Sequence, residues 1–332
     1  MNFESMVTGD QNRIIKLLPV AIMAHNEEKV IQKAIESILT QRVPEGYSVK
    51  VVIVTNGCTD RTEEIIRELE MKNMGKIELL PINEKGKSRA INHAINFFNN
   101  ISTTRFTIPY VIFLDADCEF VGDNVLINFV EHLEQNPELC AVAADCLPDS
   151  LFNSRKDIVA EMYRAIYELR RSIMINSISG MCYGIRFEIL KKIHFPDFQL
   201  AEDMYLSALL DGRFLRDKKI RIVFMTPFSL HDEVKRRTRQ EVSTQRYRRY
   251  YSYLKNKGKS VKLFNEALGN QYRWGGSPDY EIIKALHELK GFKFKLLFTL
   301  SYLIRVYCKI KSSFMLRRIK KNHDLDYWRV IR

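Results

Sequence analysis

A chain of 332 residues with 46% apolar content has material for one large domain or two smaller ones, each with its own core. Its six cysteines form no CxxC pair, the first sixteen residues are polar, and no run of 18 uncharged apolar residues occurs. These features argue against a disulfide scaffold, a secretory leader and a membrane-spanning helix, and they predict reduced thiols in the cytoplasm. The net charge of +12 is unevenly placed, at about +16 from Asp232 onward and about −4 before it. Such a basic end suits nucleic acid, anionic lipid or phosphorylated substrates, so the front of the chain has to decide among them.

Residues 17–24 read as a first strand, with Pro19 pointing to a sheet edge or a strand start. His25-Asn26-Glu27-Glu28 then opens a helix, Asn26 as N-cap, and Val30, Ile31, Ala34, Ile35 and Ile38 keep helical spacing. A second strand over 49–54 runs into Thr55-Asn56-Gly57-Cys58-Thr59-Asp60, where Thr59 or Asp60 caps a helix that buries Ile65, Ile66 and Leu69. A third strand over 77–80 is followed by Asn83-Glu84-Lys85-Gly86-Lys87 and a helix over about 88–98. This alternation with short connections predicts an α/β fold, a mostly parallel sheet flanked by helices.

The next strand is the centre of the pattern. Tyr110-Val111-Ile112-Phe113-Leu114 is an apolar run suited to burial on both faces, and it gives way to Asp115-Ala116-Asp117. Ligands of open α/β sheets bind beyond the carboxyl ends of the strands, and residues two apart on a strand share a side. Both carboxylates therefore point at one ligand, and two hard oxygen donors suit Mg²⁺ or Mn²⁺ shared with a substrate's phosphates. Alone, acidic residues after a strand are more often turn formers. Here the polar clusters after the earlier strands converge on the same rim, and no GxGxxG or GxxxxGK[ST] competes for a phosphate role.

In these motifs the chain resembles a family 2 glycosyltransferase with the GT-A (Rossmann-like) nucleotide-sugar fold. The residues that carry the resemblance are Ala24-His25-Asn26-Glu27-Glu28, Asn56 to Thr62, Gly86 to Asn92, Asp115-Ala116-Asp117, Gly180 to Arg186 and Ala201-Glu202-Asp203. It implies a nucleotide-sugar pocket lined by His25, Asn26, Glu27 and Asn56, with Lys87 or Arg89 at the base or diphosphate. Asn56 stands where the family often has an aspartate that accepts a hydrogen bond from uracil; the amide still accepts, which favours a UDP-sugar. It also implies Mn²⁺ or Mg²⁺ on Asp117 and Asp115, with His231 as a further candidate ligand. Asp203 becomes the general base with Glu202 beside it, and the reaction inverts the anomeric carbon. Gly180 and Arg186 fall on the acceptor or diphosphate side. Gln245-Arg246-Tyr247-Arg248-Arg249 matches the start of the family's Gln-x-x-Arg-Trp segment but has Arg249 in place of the Trp. Arg273-Trp274 is an alternative, and the departure favours one transfer per acceptor over polymer synthesis.

The expected organisation is a tail over 1–16, a catalytic domain over 17–232 and a basic helical C-terminal extension over 233–332. Within the catalytic domain the nucleotide-sugar part covers about 17–118 and the acceptor side about 119–232. A long amphipathic helix is expected over 153–174, a strand over 220–225, a basic helix over 235–262 and a turn-rich break over 269–278. The apolar and basic stretch over 282–319 fits either a helix lying in a membrane interface or a helix pair packed on the catalytic domain. The partners expected are a nucleoside-diphosphate sugar, a glycan or lipid-linked acceptor and, through the basic end, the anionic inner face of the cell membrane. Rival readings are a polyprenyl-phosphate glycosyltransferase, a nucleotidyltransferase and a nucleic-acid-binding protein; the last has no reading motif to support it, and no nucleic acid is expected.

Overall fold

The computed structural model describes residues 15–102, 106–172, 178–197, 201–256 and 291–318. The start of the tail, the end of the basic helix expected to 262, the break at 269–278 and Arg273-Trp274 lie outside the described residues. In chain order the elements are β1 (Ile15–Ala24), α1 (Ile31–Leu39), β2 (Tyr47–Asn56), α2 (Thr62–Lys72), β3 (Ile77–Ile82), α3 (Lys87–Ile101), β4 (Phe106–Thr107), β5 (Tyr110–Asp115) and β6 (Cys118–Phe120). They continue with α4 (Val125–Gln135), β7 (Ala141–Pro148), α5 (Ile158–Ser172), β8 (Cys182–Arg186), α6 (Phe187–Leu190), α7 (Glu202–Leu210), β9 (Phe214–Phe224), α8 (Leu230–Asn256) and α9 (Phe292–Arg318). They form two compact units interleaved along the chain: Met1–Cys146, Ile178–Asp197 and Arg213–Val223 in the first, the remainder in the second.

The first unit is built on a sheet of order β3-β2-β1-β5-β8-β7-β9-β6, with β4 also on β1. The pairs β3–β2, β2–β1 and β1–β5 are parallel, as the strand–helix alternation predicts, whereas β5–β8 and β8–β7 are antiparallel. The apolar runs of β1, β2 and β5 are buried almost throughout because helices cover the sheet. α1 contributes Ile31, Ala34, Ile35 and Ile38, and α3 contributes Ala90, Ile91, Ala94, Ile95 and Phe98.

Two expectations are corrected here. Pro19 lies in an interior strand, not at an edge: β1 pairs β4 through Ile15 and Lys16 and β5 from Val20 onward, so Pro19 falls in the gap between the two partners. Its missing N–H coincides with a break in the ladder, which is how the sheet tolerates it. Asn26 does not cap α1, which begins only at Ile31; it takes a left-handed conformation, φ 58°, and turns toward the loop after β2.

β8 sits between β5 and β7 with Gly184 opposite Ile112 and Val142. A Cβ on Gly184 would come within 2.8 Å of the Phe129 ring of α4, and Phe129 is fully buried and cannot move aside cheaply. Close approach of helix to sheet thus fixes a glycine in mid-strand.

The second unit is mainly helical. Met162 and Ala165 of α5 pack against Leu297, Phe294, Leu300 and Ile304 of α9. α9 is further fastened to α8 by Arg237 donating to Ser301 Oγ (3.0 Å) and Gln245 Nε2 donating to Ser312 Oγ (2.7 Å). The carboxylate of Glu233 is fully buried but held by Arg237 and Tyr163, the form in which an interior charge is tolerated. Arg155 holds Asp157 with two nitrogens and donates to the Thr226 and Pro227 carbonyls. Among the described residues no helix is long and apolar enough to cross a membrane.

Gly184→Ala is expected to destabilise the protein by about 1–3 kcal/mol through overpacking against Phe129. A urea-denaturation midpoint equal to that of the wild type would show that the ring yields.

Candidate active site

In the first unit, the polar loops after β1, β2 and β3 are tied together by side chains. Asn56, at the end of β2, is buried; its Nδ2 donates to the Ala24 carbonyl (2.8 Å) and its Oδ1 accepts from the Gly86 N–H (3.1 Å). One amide thereby fixes the end of β1, the end of β2 and the start of α3. An aspartate could not make the first of these contacts, since a carboxylate has no N–H to give. Both ends of its amide serve the framework, and each keeps a second hydrogen-bonding position. His25 Nδ1 lies 2.7 Å from the Asn56 carbonyl oxygen, which assigns the proton to Nδ1 and leaves Nε2 as an acceptor when the ring is neutral.

The β1 and β2 loops interlock further. Asn26 donates to Thr59 Oγ1 (3.2 Å) and accepts from the Thr59 N–H (2.8 Å), while the Glu27 N–H donates to Thr62 Oγ1 (2.7 Å). Asp60 accepts from the Glu28 N–H (3.2 Å), the Thr62 N–H (3.1 Å) and the Thr62 hydroxyl (2.6 Å). Burial raises the Asp60 pKa, but these hydrogen bonds outweigh it and hold the carboxyl below its ordinary value. Thr59, Asp60 and Thr62 thus tie the two loops together; the sequence offers them as part of the Asn56 to Thr62 motif, and the first two also as helix caps. Gly57 completes the loop at φ 62°, where a Cβ would meet the Asn83 carbonyl at 2.9 Å.

Asp115 and Asp117 end β5 as expected, but in different environments. Asp115 is partly buried; its Oδ1 is 2.5 Å from Lys87 Nζ, and Lys87 also donates to the Gly180 carbonyl (3.1 Å). The Asp115 N–H donates to the Met181 carbonyl (2.8 Å), which brings the segment before β8 to the same strand end. Asp117 is exposed, and its carboxylate accepts only a weak contact from the Cys118 thiol (3.4 Å). The oxygen donors fit a hard divalent ion. Among the described residues no group of three or more metal-ligating side chains assembles. Such a set matches Mg²⁺ or Mn²⁺ held by one or two carboxylates with water and substrate phosphate completing the shell. Behind the turn, Cys118 and Cys182 are buried, and burial pushes both thiols well above their ordinary pKa, which leaves them inert.

The other predicted residues divide clearly. Among the described residues Arg89 donates to the Asp197 carbonyl, at 3.4 Å. Arg186 sits at the far end of β8, opposite Tyr110, and donates to the Leu133, Asn136 and Leu139 carbonyls. It caps the C-terminus of α4, where a cation suits the helix dipole, and stands away from the strand end that carries Asp115. In the second unit, Glu202 and Asp203 form the first turn of α7, and Asp203 Oδ1 accepts its neighbour Met204 N–H (2.8 Å). His231 is exposed in the first turn of α8. Gln245 joins α8 to α9, Arg248 and Arg249 are exposed, and Arg246, which sequence reading passed over, is 1% exposed with its pKa lowered to about 10 by burial.

A mixed sheet, parallel in one half and flanked by helices, resembles that of GT-A glycosyltransferases. Its likeness to solved structures agrees. The fold matches a mannosyltransferase, PcManGT from Pyrobaculum calidifontis in complex with GDP-Man and Mn²⁺, at TM-score 0.53 and 18% identity, over 93% of this chain and 76% of that one. Lower scores are found for S. aureus TarS 1-349 (TM-score 0.49, 15% identity, 92% and 93% covered) and for GalNAc-T7 with UDP, GalNAc and Mn²⁺ (0.46, 12%, 63% and 43%). No curated protein matches in sequence. The family model "Glycosyl transferase family 2" matches residues 20–194, more than half of the chain, and the chain belongs to that family of glycosyltransferases.

Two measurements test the framework. Asn56→Asp is expected to lower stability by about 1–3 kcal/mol in urea denaturation, because a carboxylate would face the Ala24 carbonyl. Asp60, whose folded pKa is depressed, stabilises the fold fully above its unfolded value of about 4, and this contribution is lost as pH falls through the folded value. The stability gap between wild type and Asp60→Ala should therefore narrow as pH is lowered below about 4; a gap independent of pH would remove the carboxylate's role.

Proposed function

We propose that the chain is an inverting, metal-dependent glycosyltransferase that moves one sugar from a nucleoside-diphosphate donor to a glycan or lipid-linked acceptor at the cytoplasmic face of the membrane. The observation that carries this reading is the Asp115-Ala116-Asp117 turn, with Asp115 paired to Lys87 at 2.5 Å and Asp117 left exposed to a ligand.

Lys87 neutralises Asp115, so a diphosphate arriving at this strand end meets a neutral ion pair and one carboxylate in place of two repelling acids. A bound Mn²⁺ or Mg²⁺ would offset the charge that builds on the leaving diphosphate, and Asp117, with Asp115 behind it, would hold the ion. In the second unit Asp203 is the base: its carboxylate takes the proton of the acceptor hydroxyl, with Glu202 beside it. The hydroxyl oxygen then bonds to the anomeric carbon from the face opposite the phosphate. The anomeric C–O bond breaks, its electron pair leaves with the nucleoside diphosphate, and configuration inverts.

Asn56 is engaged in the framework but keeps an acceptor lone pair and a second N–H, so that position favours uridine without securing it. The mannosyltransferase of similar fold was solved with GDP-Man, so UDP- and GDP-sugars are both donors to test. Polyprenyl phosphate is a second acceptor reading, favoured by the exposed Arg248 and Arg249 of α8, which suit a lipid phosphate.

Asp117→Ala and Asp203→Asn are each expected to lower transfer by about 10²–10⁴-fold with unchanged urea midpoints. Calorimetry with Mn²⁺ and UDP or GDP separates their roles: Asp117→Ala should lose nucleotide binding and Asp203→Asn should keep it. Full activity in both variants would overturn the assignment.

A further inference from the structure

Among the described residues, α9 carries a second apolar face besides the one packed on α5 and α8. One face, carrying Leu297, Ser301, Cys308 and Ser312, is buried against the second unit's other helices. On the opposite side Phe292, Leu296, Leu303, Tyr307, Ile310 and Phe314 follow one another at intervals of three, four or seven residues and are 53–81% exposed. That spacing is one continuous stripe along a helix, about 33 Å from end to end. Isolated exposed apolar residues need no explanation, but six aligned aromatic and aliphatic side chains mark a surface that is covered in use.

The charges beside the stripe say what covers it. α9 contains no Asp or Glu from Phe292 to Arg318. Exposed lysines lie to both sides: Lys311 along one border, Lys295 and Lys309 along the other, while Lys293 is paired with Glu161 of α5 (2.7 Å). Lys311 Nζ stands 5.9 Å from the Tyr307 ring, at the margin of the apolar band. A second copy of this helix laid on the stripe would set lysine against lysine. A neutral apolar partner would leave the lysines unused. An anionic bilayer satisfies both features at once, since the side chains enter the acyl boundary while the lysines reach lipid phosphates.

We propose that the Phe292–Phe314 stripe of α9 is a membrane-docking surface that lays the helix in the plane of an anionic bilayer without crossing it. It extends the membrane-side acceptor reading above, but it rests on the residues of α9 alone, so either can fail without the other.

The test uses the full chain and phosphatidylcholine vesicles with and without phosphatidylserine. Wild type should co-sediment with the anionic vesicles, much less with neutral ones, and progressively less as salt rises. Leu303→Glu/Ile310→Glu, on the open face, should weaken anionic-vesicle binding at least tenfold, roughly the loss of two inserted side chains, with the thermal unfolding midpoint unchanged. If that variant does not fold, Lys295→Gln/Lys309→Gln/Lys311→Gln takes its place and should abolish the preference for phosphatidylserine. Undiminished sedimentation of the folded variants overturns the proposal. So does wild type that ignores vesicles but forms a dimer, by light scattering, that Leu303→Glu/Ile310→Glu breaks, since the stripe would then cover a second copy. Donor hydrolysis in vesicle-free buffer, unchanged in all these variants, keeps the result separate from the chemistry.

Discussion

Two carboxylates at the end of a strand buried on both faces need their charge offset, and the ion pair between Lys87 and Asp115 is how this chain does it. Neither side chain is deeply buried, at 33% and 28% exposed, so the pair contributes about 1 kcal/mol to stability after solvent screening. Its weight lies in geometry. Lys87 is the first residue of α3, and the Gly86 N–H just before it is held by Asn56. Nζ also reaches the Gly180 carbonyl, so one ammonium joins the end of β5 to the segment leading into β8. Asp117, outside this arrangement, is exposed.

The same economy of contacts explains why the strand-end loops can be polar without collapsing. Each loop after β1 and β2 satisfies the other's backbone through Asn26, Thr59, Asp60 and Thr62, so the rim is ordered before any ligand arrives. Preorganised donors are what make electrostatic stabilisation of a leaving group effective, because no reorganisation is required when charge develops. Asn56 belongs to this scaffolding. An aspartate at that position would free an oxygen for a base but lose the bond to Ala24. The amide holds the framework with one N–H and one lone pair and keeps a second of each.

The parallel half of the fold was legible because each of its strands is a compact apolar run followed by a polar cluster, with a helix-period segment next. The other half was legible only in part: the strand expected over 220–225 overlaps β9, but β6 and β7 were not anticipated. β7 is Ala-Val-Ala-Ala-Asp-Cys-Leu-Pro, poor in β-branched residues, and β6 has three residues, so neither carries a strand signal that local pattern can detect. Arg186 shows the limit for the site. It lies in the motif that carried the family resemblance, and nothing local distinguishes an arginine that meets a phosphate from one that caps a helix fifty residues earlier. Only the pairing of β8 with β5 reveals that Arg186 and Gly180 stand at opposite ends of the strand. The Asp-Ala-Asp turn was readable because its position depends on its own strand alone.

α9 illustrates a different kind of ambiguity. Its sequence fits a membrane-surface helix and a packed helix equally well, and the structure explains why the two descriptions compete: the helix is apolar on two opposite faces. Leu297 and its neighbours bury one face against α5, while Leu303, Tyr307 and Ile310 are exposed on the other. Opposed faces cancel in any measure of amphipathicity taken over the whole helix, so a pattern search sees only a basic segment of middling hydropathy. A helix needed for packing alone would have placed lysine and glutamate on its open side. Lysine borders this one, glutamate is absent and aromatic and aliphatic side chains fill the middle, a composition that solubility alone does not call for and that the headgroup region of an anionic bilayer does.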